Sequence, residues 1–396
     1  MHMQFSQDSQ NHYFFSQPHQ PFFVLAFVSG FVTMLIFLLS YKGVLNLAVS
    51  SLDFHIYGLT YLMFTPAFLA FLFTTFPKFS STPAIKKEKY MSIFSLFYLG
   101  SILFLLGSIV SSILSSVAMV LLFIAHFKSV LILKKIYDST SNNNKTDMFW
   151  ILLSLKFSLL AHFLFIIAML FYPPLMGLST EISTYLYLFL LTFSVAQRMV
   201  PFFSHILVEK NPKLLKIILT LLILHILLEG IYTHASFITD IALGYFIAKE
   251  LLRWDIYFPN PNPLLWILHI ALYWVPVAFI LAGITNFISM VSDIHFLALD
   301  VHTLLLGFVF TMLIGFGTRV TLGHSGNTMQ ADKWTSYLFY WTQVVVVIRI
   351  LLSFFAAFTQ NFMILFDLSV LVWLIIFVGW GVRFFAVLIT GKKLKS

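Results

Sequence analysis

Apolar residues in this chain come in runs long enough to cross a bilayer, each interrupted by Pro, Gly, Asn or a small cluster of charge. A helix needs about 20 such residues to span the hydrocarbon layer. On that rule the pattern predicts crossings at 22–41, 55–76, 91–109, 112–133, 149–171 and 182–204, then 213–232, 235–253, 264–285, 298–319, 336–358 and 363–386. Two apolar runs, 91–133 and 213–253, are too long for one helix and are divided at Gly107 to Ser111 and at Tyr232 to Ala235. The expected fold is all-α: a polytopic integral membrane protein of twelve transmembrane helices. Residues 1–21 are expected as a polar tail, 22–390 as a single transmembrane domain and 391–396 as a basic tail. The sequence shows no internal repeat, heptad pattern or extramembrane domain.

Composition supports this reading. The chain is 60% hydrophobic and 10% charged, against roughly half and about a quarter in soluble domains. With no cysteine among 396 residues, disulfides, thiolate metal sites and cysteine nucleophiles are excluded, so His, Met, carboxylate or backbone oxygen must hold any metal. No Gly-rich phosphate loop or Ser/His/Asp constellation supports nucleotide-driven transport or hydrolysis. The net charge of +8 lies in short clusters between apolar runs, which argues against nucleic acid and for membrane topology.

Those clusters alternate. Lys78/Lys86/Lys87/Lys89, Lys134/Lys135/Lys145, Lys210/Lys213, Lys249/Arg253, Arg319/Lys333 and Lys392/Lys393/Lys395 follow the even-numbered crossings, whereas the opposite loops hold only Lys42. Cytoplasmic loops collect Lys and Arg, so both termini are expected in the cytoplasm. Residues 1–20 lack the basic region of a cleavable signal peptide, and the first helix is expected to remain as an anchor.

Ionisable groups inside a membrane are costly and mark candidate sites. His55 opens the second crossing and His302 lies near the start of the tenth, at matched depth toward the external face. Two imidazoles so placed are what an axially bis-coordinated heme requires; the alternative is a pair of interfacial histidines bonded to water or headgroups. Gly58 and Gly307 are expected to let a flat macrocycle approach the backbone. Arg198 and Arg349, deep in their helices, each need a carboxylate, a carbonyl or a heme propionate. His225 and Glu229 share a face of the seventh helix, either as a place for a second metal or as a buried polar pair. His126 and His162 read as packing or water-cavity groups.

Three segments carry a family resemblance. HIYGLTYLMFTPAFLAFLFTTFPKF (55–79), AQRMVPFFSHIL (196–207) and HTLLLGFVFTMLIGFGTRVTLGHSG (302–326) resemble, in order and spacing, the signature blocks of the NnrS family. The resemblance implies a bacterial inner-membrane protein that binds heme b and copper and takes part in the response to nitric oxide, with a small redox partner or nitric oxide itself as its counterpart. It carries His55, His302, Arg319 and His324 as motif residues. The family's second motif histidine falls on Tyr57 and its glutamate on Gly58, so a copper site built from that cluster is not retained. Arg319 and His324 are expected near the cytoplasmic face, in a loop role or against lipid phosphate or a second cofactor. A more distant similarity to the heme-copper oxidase catalytic subunit implies a related bundle, but the outer half of helix six has no histidine for a heme and copper centre. A small-solute or metal permease, with the membrane histidines lining its path, is the competing functional class.

Overall fold

The computed structural model describes residues 13–394. Its twelve long helices are α1 His19–Tyr41, α2 Ser51–Phe79, α3 Lys87–Val110, α4 Ser112–Ser139, α5 Thr146–Leu170, α6 Leu175–Phe203, α7 Leu214–Ile231, α8 Phe237–Trp254, α9 Pro263–Val291, α10 Leu299–His324, α11 Lys333–Phe358 and α12 Met363–Thr390. Eleven are long and apolar enough to cross a membrane. The other, α8, carries Asp240, Lys249, Glu250 and Arg253. The chain is a polytopic membrane protein, and each expected crossing corresponds to one helix.

Two boundaries differ from expectation. Residues 13–20 are not a free polar tail: Ser16 Oγ donates to the Tyr13 carbonyl at 2.7 Å and the Gln17 amide to Gln20 Oε1 at 2.8 Å, which ties the segment to the first turn of α1. Tyr90 of α3 also donates to the Phe15 carbonyl at 2.8 Å. At the other end, α10 continues to His324, so Arg319 and His324 stand on a helix and not in a loop. The expected tails at 1–12 and 395–396 lie outside the described residues. Lys393 and Leu394 pin the carboxyl end to Ser325 and Asn327, at 2.5 and 2.7 Å. Tyr13 lies against Gly391, so both ends of the described chain meet at one end of the bundle, opposite His55 and His302.

Three helices form the centre. The apolar windows of α2, α6 and α10 are 89%, 72% and 78% buried, against at most 56% for the other spans. Each changes from α to π geometry near its start, at Gly58–Phe64, Ile182–Phe189 and Leu305–Phe310. These segments begin 124 and 123 residues apart, at positions 58, 182 and 305. A π turn leaves a carbonyl without its usual partner, and Thr65 and Thr311 answer it alike, donating to Thr60 O and Leu306 O at 2.8 Å. All three helices end in the same way, on a residue of positive φ: Ser81 at 52°, His205 at 54° and Gly326 at 67°. The chain is therefore three four-helix units, α1–α4, α5–α8 and α9–α12, a repeat hidden in the sequence.

The second helix of each unit packs on the others through aromatic pairs, Phe71 with Phe316 at 5.4 Å and Phe189 with Phe308 at 5.7 Å between ring centres. Without a hydrophobic drive between helices in lipid, such close packing and interhelical hydrogen bonds hold the bundle. Gly107 shows the tolerance: a Cβ there would lie 2.6 Å from the Ser115 amide nitrogen, so α3 and α4 touch backbone to backbone.

Candidate cofactor site

His55 and His302 occupy equivalent places, three residues before the π segments of α2 and α10. Their rings face one cavity, walled by α1, α2, α10, α11 and α12 through Met34, Phe37, Leu306, Val345, Arg349 and Trp373. The ring centres are 6.2 Å apart and the planes 23° from parallel. Two imidazoles on opposite sides of one metal, each bonded at about 2 Å, have centres roughly 6 Å apart.

The surroundings prepare both rings. His302 Nδ1 lies 2.8 Å from the Ala298 carbonyl and 3.1 Å from Arg349 Nη2. A guanidinium only donates, so the two contacts demand opposite tautomers. The shorter contact and the alternative acceptor for Nη2, the Leu297 carbonyl at 3.0 Å, assign the proton to Nδ1 and leave the Nε2 lone pair free. Ala298 holds φ at +41°, a costly conformation for a residue with a Cβ. Ser353 Oγ also donates to the Leu297 carbonyl at 2.8 Å and accepts from Arg349 Nη1, which fixes this turn. The His55 ring packs on Phe37, with centres 4.4 Å apart, and its Nδ1 is buried without a hydrogen-bond partner.

Arg349 is 8% exposed, and among the described residues no carboxylate pairs with it. The cavity thus combines flat apolar walls, two imidazoles and one unneutralised cation. That donor set fits a flat apolar macrocycle with a metal at its centre and anionic substituents at its edge.

Other candidates fall elsewhere. A Cβ on Gly58 would strike Thr33 of α1, and one on Gly307 would lie 2.8 Å from Trp274 of α9. Both glycines therefore serve helix contacts, not a macrocycle. Arg198 pairs with Asp147 of α5 at 2.7 Å and lies over the Phe79 ring, while Lys210 contacts the same carboxylate, so Arg198 already has its counter-charge away from the cavity. Arg319 sits 3.9 Å over the Phe203 ring with its Nε buried and unpartnered. His324 meets Gln17 at 2.8 Å, Lys78 at 3.3 Å and the His19 ring at 5.0 Å.

The expected His225 and Glu229 pair does not form. Both oxygens of Glu229 accept from the His234 amide at 3.0 Å, just past the end of α7. His225 turns to Asp240 of α8 at 2.8 Å and Glu181 of α6 at 3.4 Å. Among the described residues no group of three or more His, Asp or Glu side chains is placed to hold one metal ion. His126 and His162 are not isolated: Tyr57 Oη lies 2.8 Å from His162 Nε2, the two Nδ1 atoms are 3.2 Å apart, and His126 Nε2 is 2.9 Å from Ser158 Oγ. Because Ser158 donates onward to the Leu155 carbonyl at 2.7 Å, the chain has one consistent direction, from Tyr57 to His162 to His126 to Ser158.

His55 and His302 lie between the third and first units and the Tyr57 chain between the first and second, whereas His225, Asp240 and Glu181 all belong to the second and touch the third through Asn286 of α9. The chain matches no curated protein in a direct comparison. A family model described as NnrS protein matches residues 13–392, nearly the whole length, and the chain belongs to that family.

Proposed function

We propose that this protein is a membrane hemoprotein of the NnrS type, with one heme b held between α2 and α10 by His55 and His302, serving the nitric oxide response through heme-based redox or gas interaction. The observation that supports it is the 6.2 Å spacing of two near-parallel imidazoles across a largely apolar cavity that also holds Arg349. When bound, a heme held by His55 and His302 would supply one-electron chemistry and affinity for nitric oxide. The protein does the rest. The Ala298 carbonyl sets the His302 tautomer, Phe37 orients His55, and the buried Arg349 offers donors to an anionic edge.

The same proposal places both termini in the cytoplasm of a bacterial inner membrane, from the Lys and Arg excess at that end, in a heme-copper-oxidase-like arrangement. The cavity then opens near the external face. Copper, implied by the resemblance alone, finds no group of three or more His, Asp or Glu among the described residues and stays outside the proposal. The test is heme content per chain after heme-sufficient expression and purification. One heme b per polypeptide is expected, and protein without heme would refute the reading.

A further inference from the structure

At the end of the bundle opposite the termini, between the second and third units, carboxylates gather with no Lys or Arg in ion-pair contact among the described residues, and only Asp300 feels a guanidinium, that of Arg349 in the neighbouring cavity. Asp240 of α8 is fully buried, and Glu181 of α6 is 26% exposed at its side chain. Asp300 of α10 and Glu229 of α7 add their fields to the same space, against which the Tyr185 ring of α6 packs. Among the described residues neither Lys nor Arg pairs with any of the four carboxylates. Asp240, fully buried with no Lys or Arg in contact, is expensive to keep charged, so a proton on its neighbour must answer that charge.

His225, 2% exposed, stands at the centre. Its Nδ1 is 2.8 Å from Asp240 Oδ1 and its Nε2 is 3.4 Å from Glu181 Oε2. A neutral imidazole has one N–H, so only the doubly protonated ring can donate toward both carboxylates. The two sides are unequal. Asn286 Nδ2 donates to the other Asp240 oxygen at 3.1 Å and is shared with Ser236 Oγ at 3.3 Å, while Asn286 Oδ1 meets His234 Nδ1 at 3.3 Å. This fixes Asp240 as an acceptor. Glu181 Oε2 has no hydrogen-bond partner, and its side chain reaches the surface.

We propose that Glu181, His225 and Asp240 form a proton-exchange site between the aqueous phase at this end of the bundle and the membrane interior. A proton leaves hydronium for the Glu181 carboxylate, then passes to His225 Nε2, whose lone pair takes it as the Glu181 O–H bond breaks. Asp240 remains ionised and steadies the resulting imidazolium. Release runs through the same atoms in reverse, and no electron moves. Glu181, His225 and Asp240 lie outside the lining of the His55 and His302 cavity.

The test is infrared spectroscopy of the full-length protein in liposomes, acid minus alkaline, with deuterium exchange. The wild type should show a histidine ring band together with a carboxylate band, and the ring band should be lost in His225→Gln. Glu181→Gln, a near-isosteric change at a partly exposed side chain, should keep the ring band but slow its exchange, and this variant carries the test alone if His225→Gln fails to fold. Spectra that His225→Gln leaves unchanged, or exchange in Glu181→Gln as fast as in wild type, would overturn the proposal.

Discussion

Tyr57 Oη donates to His162 Nε2 at 2.8 Å, so the residue two places after His55 turns away from the cavity that His55 lines and into the interface between the first two units. Tyr57→Phe leaves the buried His162 nitrogen without its donor and should cost about 1–3 kcal/mol. Tyr61→Phe is the control, because the Tyr61 hydroxyl is buried without a partner, and its loss should be neutral or stabilising. Thermal unfolding of both variants in the same detergent checks the difference.

Close helix contact should also be visible in stability. Gly107→Ala sets a Cβ 2.6 Å from the Ser115 nitrogen and 2.9 Å from the Leu114 carbonyl carbon, both backbone atoms that cannot swing aside. A cost of about 1–3 kcal/mol is expected for such overpacking. Gly177→Ala meets nothing within 4 Å and should be neutral, or stabilising by up to about 1 kcal/mol through the unfolded state.

Arg349 and Arg198 should behave differently. Arg349→Gln removes the cavity's unpaired cation and should weaken heme retention about tenfold to hundredfold, the equivalent of one charge-assisted hydrogen bond of about 1.5–3 kcal/mol. Arg198→Gln should leave heme retention unchanged and cost at most about 1 kcal/mol of stability, because its pair with Asp147 is partly exposed. Heme transfer to an acceptor protein, timed for each variant, separates them.

Eleven of the expected crossings were legible as spans because length and apolarity decide membrane helices with little help from tertiary contacts, while the eighth forms a helix too charged for that rule. His55 and His302 stood out for the same reason: each opens a long apolar run at matched depth. The partners of the other polar residues were not legible. His225 and Glu229 share a helix face by spacing, yet α7 stops at Ile231 and Glu229 is drawn to the His234 amide, while the true neighbours of His225 come from α6 and α8. Arg198 found Asp147 on α5, and Gly58 and Gly307 answered to Thr33 and Trp274 on neighbouring helices. Such pairings depend on how helices stack, which periodicity along one helix does not encode. The threefold repeat was hidden because what recurs is backbone geometry, a π segment and a left-handed cap, carried by different side chains at 58, 182 and 305.

The most direct measurement is the reduced-minus-oxidised absorbance spectrum of the wild type beside His55→Ala and His302→Ala, each confirmed as folded by its elution and helical content. The account predicts a b-type spectrum in the wild type that disappears when either imidazole is removed. A wild type without a Soret band, or variants whose spectra match it, would contradict the account.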